Sequence, residues 1–384
     1  TRLVGSEMCI RDRGKSIEEL GLELKRQRLA RKDIITSTNN LSFYTTTEGV
    51  SYLCTRKPDK TWERYLVSEL THRQIASKLN IPFRYYEKMR AENPMLLDEN
   101  IISWFKKDPQ KRMIRTMDHT ARAFLSDRYR RLDNMELCAS ILPVIREMKG
   151  AEIKSCEVTD THMYIKVVNR TMKTEIRKGD AVQAGFIVAN SEVGLGSLRV
   201  EPLVYRLVCD NGMIAKDFGK KKYHAGRQIA CEEDAYELYS DATLEQDDKA
   251  FFMKVQDIVR SAVDETRFNL ITDRMKQAAD SKIRNSTDEE IRILADKFLL
   301  NEEEQNEIMR QFFMGGDNTW YGLINAVTAA SKEMETYERA TDLERIGGDM
   351  LSMPFGSRKK LPVLKKEEKK TNLIKYAPIE EILA

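Results

Sequence analysis

Between Ala151 and Cys209 apolar residues recur at every second position, and on both sides of this stretch they recur with the period of a helix. A period of two puts successive side chains on opposite faces of a strand, so these residues build a sheet with a buried face. "AEIKSCEV" and "HMYIKVV" flank Thr159-Asp160-Thr161 as a hairpin, with Ile153, Val158, Met163, Ile165 and Val167 as inward residues. "AVQAGFIVAN" and "SLRVEPLVYRLVC" form a second strand pair, joined by "NSEVGLG". Strands that follow one another without helix-length intervals pair antiparallel, because a parallel crossover needs a dozen or more residues. The expected fold is therefore α+β, a central antiparallel sheet of about four or more strands between an N-terminal helical region and a C-terminal all-helical region. Pro202 cannot donate to a ladder and belongs at an edge or a bulge, and Asn211-Gly212 reads as a tight turn after the last strand.

The flanks carry helix punctuation. "SIEE" at Ser16 is a capping box, with Ile17, Leu20, Leu24 and Leu29 supplying an apolar face to about Lys32. "LSFYTTTEGVSYLCT" (41–55) reads as two short strands around Glu48-Gly49. "ELTHRQIASKLNIPFRYYEKMR" (69–90) has the profile of a helix-turn-helix joined at Asn80-Ile81-Pro82, with Arg84, Lys88 and Arg90 outward, and equally of a plain packing pair. "MELCASILPVIREM" is helical, with Pro143 arguing for a kink or break. Downstream, Ser286 and Asn301 cap two helices, Gly315-Gly316 ends the second, and Thr319 opens a run that Gly347-Gly348 closes. The regions that follow are 14–100 with the helix-turn-helix-like pair, 101–230 as the α+β core, 231–351 as a helical region and 352–384 as a charged mobile tail. Residues 1–13 contain "VGSEMCIRDR", which resembles translated sequencing-adapter read-through, and are set aside as an artefact.

The formal net charge of +3 conceals a strong polarity along the chain. From Phe105 to Arg131 there are nine Lys and Arg against three Asp, and from Glu232 to Glu304 twenty Asp and Glu against ten Lys and Arg. A basic centre calls for an anionic partner or for pairing with carboxylates elsewhere in the chain. Six cysteines without a CxxC pair read as reduced thiols in a cytoplasmic protein, and no stretch approaches a membrane span. His72, His119, His162 and His224 lie in unrelated elements without metal-ligand spacing, so neither a metal nor any other cofactor is expected. "NSEVGLGSLRV" lacks the third glycine and the following helix of a dinucleotide site and reads as a hairpin turn.

The centre of the basic region is "HTARAFLSDRYRRLDN" (119–134). Guanidinium groups bind phosphate bidentately and tyrosine stacks on an unpaired base, so arginines interleaved with aromatics suit single-stranded nucleic acid. If they are strand-borne, Arg128 and Arg130 share one face and Tyr129 and Arg131 the other. The candidate contacts are Arg115, Arg122, Arg128, Tyr129, Arg130 and Arg131, with Lys220, Lys221 and Lys222 of the loop "KKKYHAG". Two other readings stay open. Asp127, Asp133, Asp180 and Glu192 would bind Mg²⁺ as a nuclease if the fold gathered them. The acidic helices would instead serve a protein partner, as in an anti-defence or regulatory factor, or a second copy of the chain.

"RAFLSDRYRRLDN", "GDAVQAGFIVANSEVGLGSLRVEPLVYRLVCDNGMI" and "TWYGLINAVTAASKE" together resemble the phage/plasmid-related family catalogued as domain of unknown function number nine hundred and thirty-two. "QIASKLNIPFRYYEKM" is similar to its N-terminal segment, although Asn80 stands where the family tends to have Gly before Ile-Pro. The likeness runs from about Leu20 to Leu351. It implies a setting, mobile genetic elements, and carries over no catalytic residue. Setting and residues together lead to the expectation of a non-enzymatic, single-stranded DNA-binding protein that serves mobile-element replication or recombination, with no membrane partner.

Overall fold

Ser16 caps the first helix as its sequence requires, its hydroxyl accepting from the Glu19 N–H while the Glu19 carboxylate accepts from the Ser16 N–H. The computed structural model of the chain describes residues 14–129, 131–196, 198–215, 241–283 and 286–354. Helix α1 (Ile17–Ala30) runs straight into β1 (Arg31–Ser37), which precedes β2 (Leu41–Thr45), β3 (Ser51–Arg56) and β4 (Trp62–Val67). Three helices follow, α2 (Glu69–Lys78), α3 (Phe83–Glu92) and α4 (Pro94–Lys107), and then β5 (Lys111–Met117) and β6 (Thr120–Ser126).

These six strands form one sheet in the order β1-β5-β6-β4-β3-β2, antiparallel except where β4 meets β6. Residues 111–126, within the 101–230 region of the sequence reading, thus hydrogen-bond to β1 and β4. Its inner face buries Leu41, Phe43, Leu53, Tyr65, Ile114 and Phe124 against α2–α4. Asn80 makes the close turn from α2 to α3 with φ of 54°. The Ile81 N–H bonds to the Ala76 carbonyl and the Asn80 N–H to that of Ser77, the paired bonds of a Schellman end.

Helix α5 (Asn134–Glu147) leads to β7 (Ala151–Val158), β8 (Met163–Arg177), β9 (Asp180–Asn190), β10 (Arg199–Arg206) and β11 (Asn211–Ile214). They form the expected antiparallel sheet in the order β11-β10-β9-β8-β7. One face packs Ile165, Val167, Phe186 and Val188 on α1, α5 and α6 (Asp241–Arg260). The helices α7 (Glu265–Asp280), α8 (Thr287–Phe298), α9 (Glu302–Gly315), α10 (Trp320–Ala330) and α11 (Tyr337–Ser352) share a core built on Ile271, Leu294, Ile308, Leu323 and Leu343. Ser286 and Asn301 cap α8 and α9, and Gly316 ends α9 at φ of 62°.

Four expectations change. Pro143 sits inside α5 without ending it, since it forfeits only one hydrogen bond of the ladder. Asn211-Gly212 lies within β11. The turn is one step earlier, where Asp210 takes φ of 46°, and the Asn211 amide donates to the Thr328 hydroxyl at 2.6 Å. Pro202 is on an inner strand, but β11 pairs only with Leu203–Arg206, so the missing donor falls at the end of that ladder. The run from Thr319 is two helices, and Gly347-Gly348 lies inside α11. A Cβ on Gly348 would stand 2.0 Å from the Ile214 carbonyl oxygen, so glycine serves close approach of helix to strand.

Candidate functional site

The bulge in β6 that displaces Arg122, and the antiparallel pairing of Asp33 with Arg115, gather charge on the outer face of the first sheet. There the loop after β9 and the start of α5 close over it. Arg115, only 2% exposed, donates from Nε to Asp33 Oδ1 at 2.9 Å, from Nη2 to Asp133 Oδ1 at 2.8 Å and from Nη1 to the Glu192 carbonyl at 2.9 Å. Arg31 reaches Asp133 at 2.6 Å and Glu192 at 3.6 Å. The Asn134 N–H, in the first turn of α5, donates to Glu192 Oε1 at 2.6 Å. Burial opposes the charge on Arg115, but Asp133 and Asp33 outweigh it and raise its pKa above the ordinary value.

Arg122 is less well served. It donates to the Asp160 carbonyl at 3.0 Å and approaches Glu192 at 3.6 Å, while its Nε is buried without a partner. Burial lowers its pKa, Glu192 opposes that, and Arg115 adds to it. Tyr129 is half-buried, and its hydroxyl donates to the Ser191 carbonyl at 3.3 Å. Arg131 is exposed and reaches Asp33 at 3.2 Å.

The sequence-predicted contacts therefore separate. Arg115 and Arg122 face inward, where three carboxylates take the place that phosphates were expected to fill. Arg128 is exposed, but β6 ends at Ser126, so it lies in a turn and not on a strand face. Arg130, Lys220, Lys221 and Lys222 lie outside the described residues. Of the carboxylates considered for a metal, Asp133 and Glu192 meet here but are bound to arginines. Asp180 is elsewhere, held by Arg206 at 2.7 and 2.8 Å and by the Tyr321 hydroxyl at 2.9 Å. Among the described residues no group of three or more His, Cys, Asp and Glu is placed to hold a metal ion.

The outer face of the same sheet is open over β2, β3 and β4. Tyr44, Tyr52 and Leu66 stand opposite one another in one row, Ser42, Cys54 and Arg64 in the next, and Arg56 opposite Trp62 in a third. Tyr44 is 56% exposed, Trp62 53% and Leu66 41%, and the Arg64 guanidinium lies 5.5 Å from the centroid of the Tyr52 ring. No carboxylate occupies an outward position on these three strands. Burial raises the pKa of the Cys54 thiol in the middle row, and Arg64 opposes that.

A family model described as Domain of unknown function (DUF932) matches residues 122–346, more than half of the chain. The chain belongs to the DUF932 family. The DUF932 match begins at Arg122 within β6 and ends at Ile346 within α11, so it takes in Asp133 and Glu192. Arg115, Asp33 and the open sheet face precede the DUF932 match. No curated protein and no solved structure matches the chain.

Sequence reasoning missed this open face. β1 and β4 carry no clear alternation, and Trp62-Glu63-Arg64-Tyr65 mixes charge with aromatics on both sides of the strand. A usable signal was present. Tyr44 and Tyr52 are the outward aromatics of the two strands read from "LSFYTTTEGVSYLCT", at positions where a solvated strand normally carries polar groups.

Proposed function

We propose that this chain is a non-enzymatic protein that binds single-stranded DNA on the open face of its first sheet, and that it serves the replication or recombination of a mobile element. The observation that carries the reading is the face itself, with Tyr44 and Trp62 exposed and Tyr52 half-buried beside Arg56 and Arg64, and no carboxylate among them. Unpaired bases stack on exposed aromatic rings, and arginines at the same surface hold the phosphates between them. A duplex offers no free base faces to such a surface, so the reading is specific for single strands. The mobile-element setting follows from the family resemblance alone. The nuclease reading has less support, since three of the four carboxylates it needs, Asp133, Asp180 and Glu192, are already engaged by arginines and Asp180 stands apart from the other two.

Fluorescence anisotropy with a labelled oligonucleotide tests it. Binding is expected at low salt, weaker for the duplex of the same sequence. Tyr44→Ala with Tyr52→Ala should lower affinity by roughly 5- to 150-fold, the range for loss of one stacked base. No binding at low salt, or affinity indifferent to both tyrosines, would overturn it.

A further inference from the structure

Helix α2 runs along β6 and brings a second basic region to the far end of the first sheet. The Thr71 hydroxyl donates to the Ala121 carbonyl at 2.7 Å, and Gln74 Oε1 accepts from the Phe124 N–H at 2.7 Å. One turn later Lys78 stands beside the last residues of β6, where Ser126 pairs with Arg112 of β5. Helix α4 ends at the same place with Lys106 and Lys107, and Lys111 opens β5. Arg128 follows β6 in the turn. Lys107 lies 4.7 Å from the ring centroid of Trp104, which is 43% exposed.

Six cations, Lys78, Lys106, Lys107, Lys111, Arg112 and Arg128, thus lie at one end of the sheet, where Asp108 and Asp127 are the carboxylates beside Arg112. None of the six forms an ion pair with a described residue, although cations elsewhere on this surface, such as Arg26, Lys57 and Arg90, do so. Arg112 donates to Gln110, while its Nε is buried without an acceptor. Asp108 is engaged by the Gln110 amide at 2.6 Å. Burial first, and then the nearby Arg112, lower the pKa of Lys78, while Asp108 opposes them. An anion bound at this end would offset the excess of positive charge.

We infer that this end of the sheet binds the phosphodiester backbone of nucleic acid, as a contact separate from the aromatic face. It rests on the same reading of the polymer but uses different chemistry, charge without stacking. The two contacts are told apart by salt. Each phosphate contact on a single strand contributes about −0.7 to the slope of log affinity against log salt, whereas stacking contributes none. In the full chain, Lys78→Gln, Lys107→Gln, Lys111→Gln and Arg128→Gln together replace only exposed side chains. The slope is expected to become shallower by roughly 0.7 for each contact removed. Tyr44→Ala with Tyr52→Ala should weaken binding at every salt concentration and leave the slope unchanged. A glutamine variant whose slope and affinity equal those of the parent overturns the inference while leaving the aromatic face standing. So does a patch that holds the protein on anionic phospholipid vesicles with no effect on DNA. If the tyrosine variant alone is unaffected, the aromatic face fails and the basic end remains.

Discussion

Arg115 of β5 and Asp133 at the foot of α5 meet at 2.8 Å beneath the Glu192 loop, and the contact joins the first sheet to the second half of the chain. The arginine also holds Asp33, so its removal leaves the buried Asp133 with Arg31 and the half-buried Asp33 with the exposed Arg131. Arg115→Ala is expected to cost about 3–5 kcal/mol in chemical denaturation, the range for breaking a buried pair by deleting one partner. Arg115→Lys keeps the charge but not the planar fork and should recover only part of this. Loss of DNA binding by Arg115→Ala with stability unchanged would instead make Arg115 a phosphate contact.

Lys166 of β8 and Glu344 of α11 form a second such pair at 2.8 and 2.7 Å, both nearly buried, with the Lys166 ammonium 4.9 Å from the Tyr337 ring centroid. Burial opposes the ammonium, and Glu344 overrules it, so the lysine pKa is raised. Glu344→Leu alone strands that cation and should cost about 3–5 kcal/mol, while Lys166→Met with Glu344→Leu should return to within roughly 1–2 kcal/mol of the parent. A double-mutant cycle measures the difference. Simple additivity of the two single changes would show that the pair is not coupled.

The capping signals at Ser16, Ser286 and Asn301 and the alternation from Ala151 to Cys209 were legible because they are local, each written within a few residues. The strand character of β1 was not, because Arg31 and Asp33 face a charged junction assembled from residues up to Glu192, and alternation of polar with polar leaves no hydrophobic period. The same cause hid the fate of the central arginines. Arg115 and Arg122 have the composition of a phosphate site, and only the tertiary arrangement of Asp33, Asp133 and Glu192 turns them inward. Gly347-Gly348 misled for a related reason, since a glycine pair marks a helix end by local rules and a close helix-to-strand approach by tertiary ones.

His72 in α2 sets a pH dependence. Its Nδ1 lies 2.8 Å from the Tyr86 hydroxyl beneath Phe43 and Phe83, and burial, aided by the Arg90 charge, pushes its pKa down from 6.5 to about 3. Between those values the unfolded chain binds a proton that the folded chain refuses, so stability falls as pH falls through the window and the contribution is fully present above about 6.5. The slope from this group approaches 1.4 kcal/mol per pH unit within the window. Denaturation of the parent and of His72→Gln from pH 7 to pH 4 compares them directly. The variant should lose that component of the slope, and parallel curves would assign the titration to another group.

Asn80 is the last case. Its φ of 54° is left-handed because such a residue must follow α2 for the Ile81 N–H to reach the Ala76 carbonyl at 2.9 Å. Asparagine tolerates this conformation better than other residues with a Cβ, yet it carries some of the steric cost that glycine avoids. Against that gain stands the greater freedom glycine has in the unfolded chain. Asn80→Gly is therefore expected to raise stability by only about 0.5 kcal/mol, and Asn80→Val to lower it by about 1–2 kcal/mol because a β-branched residue is most strained there. Denaturation midpoints at constant m-value measure both. A valine variant as stable as the parent would mean that α2 ends without the left-handed residue and that the turn to α3 does not depend on it.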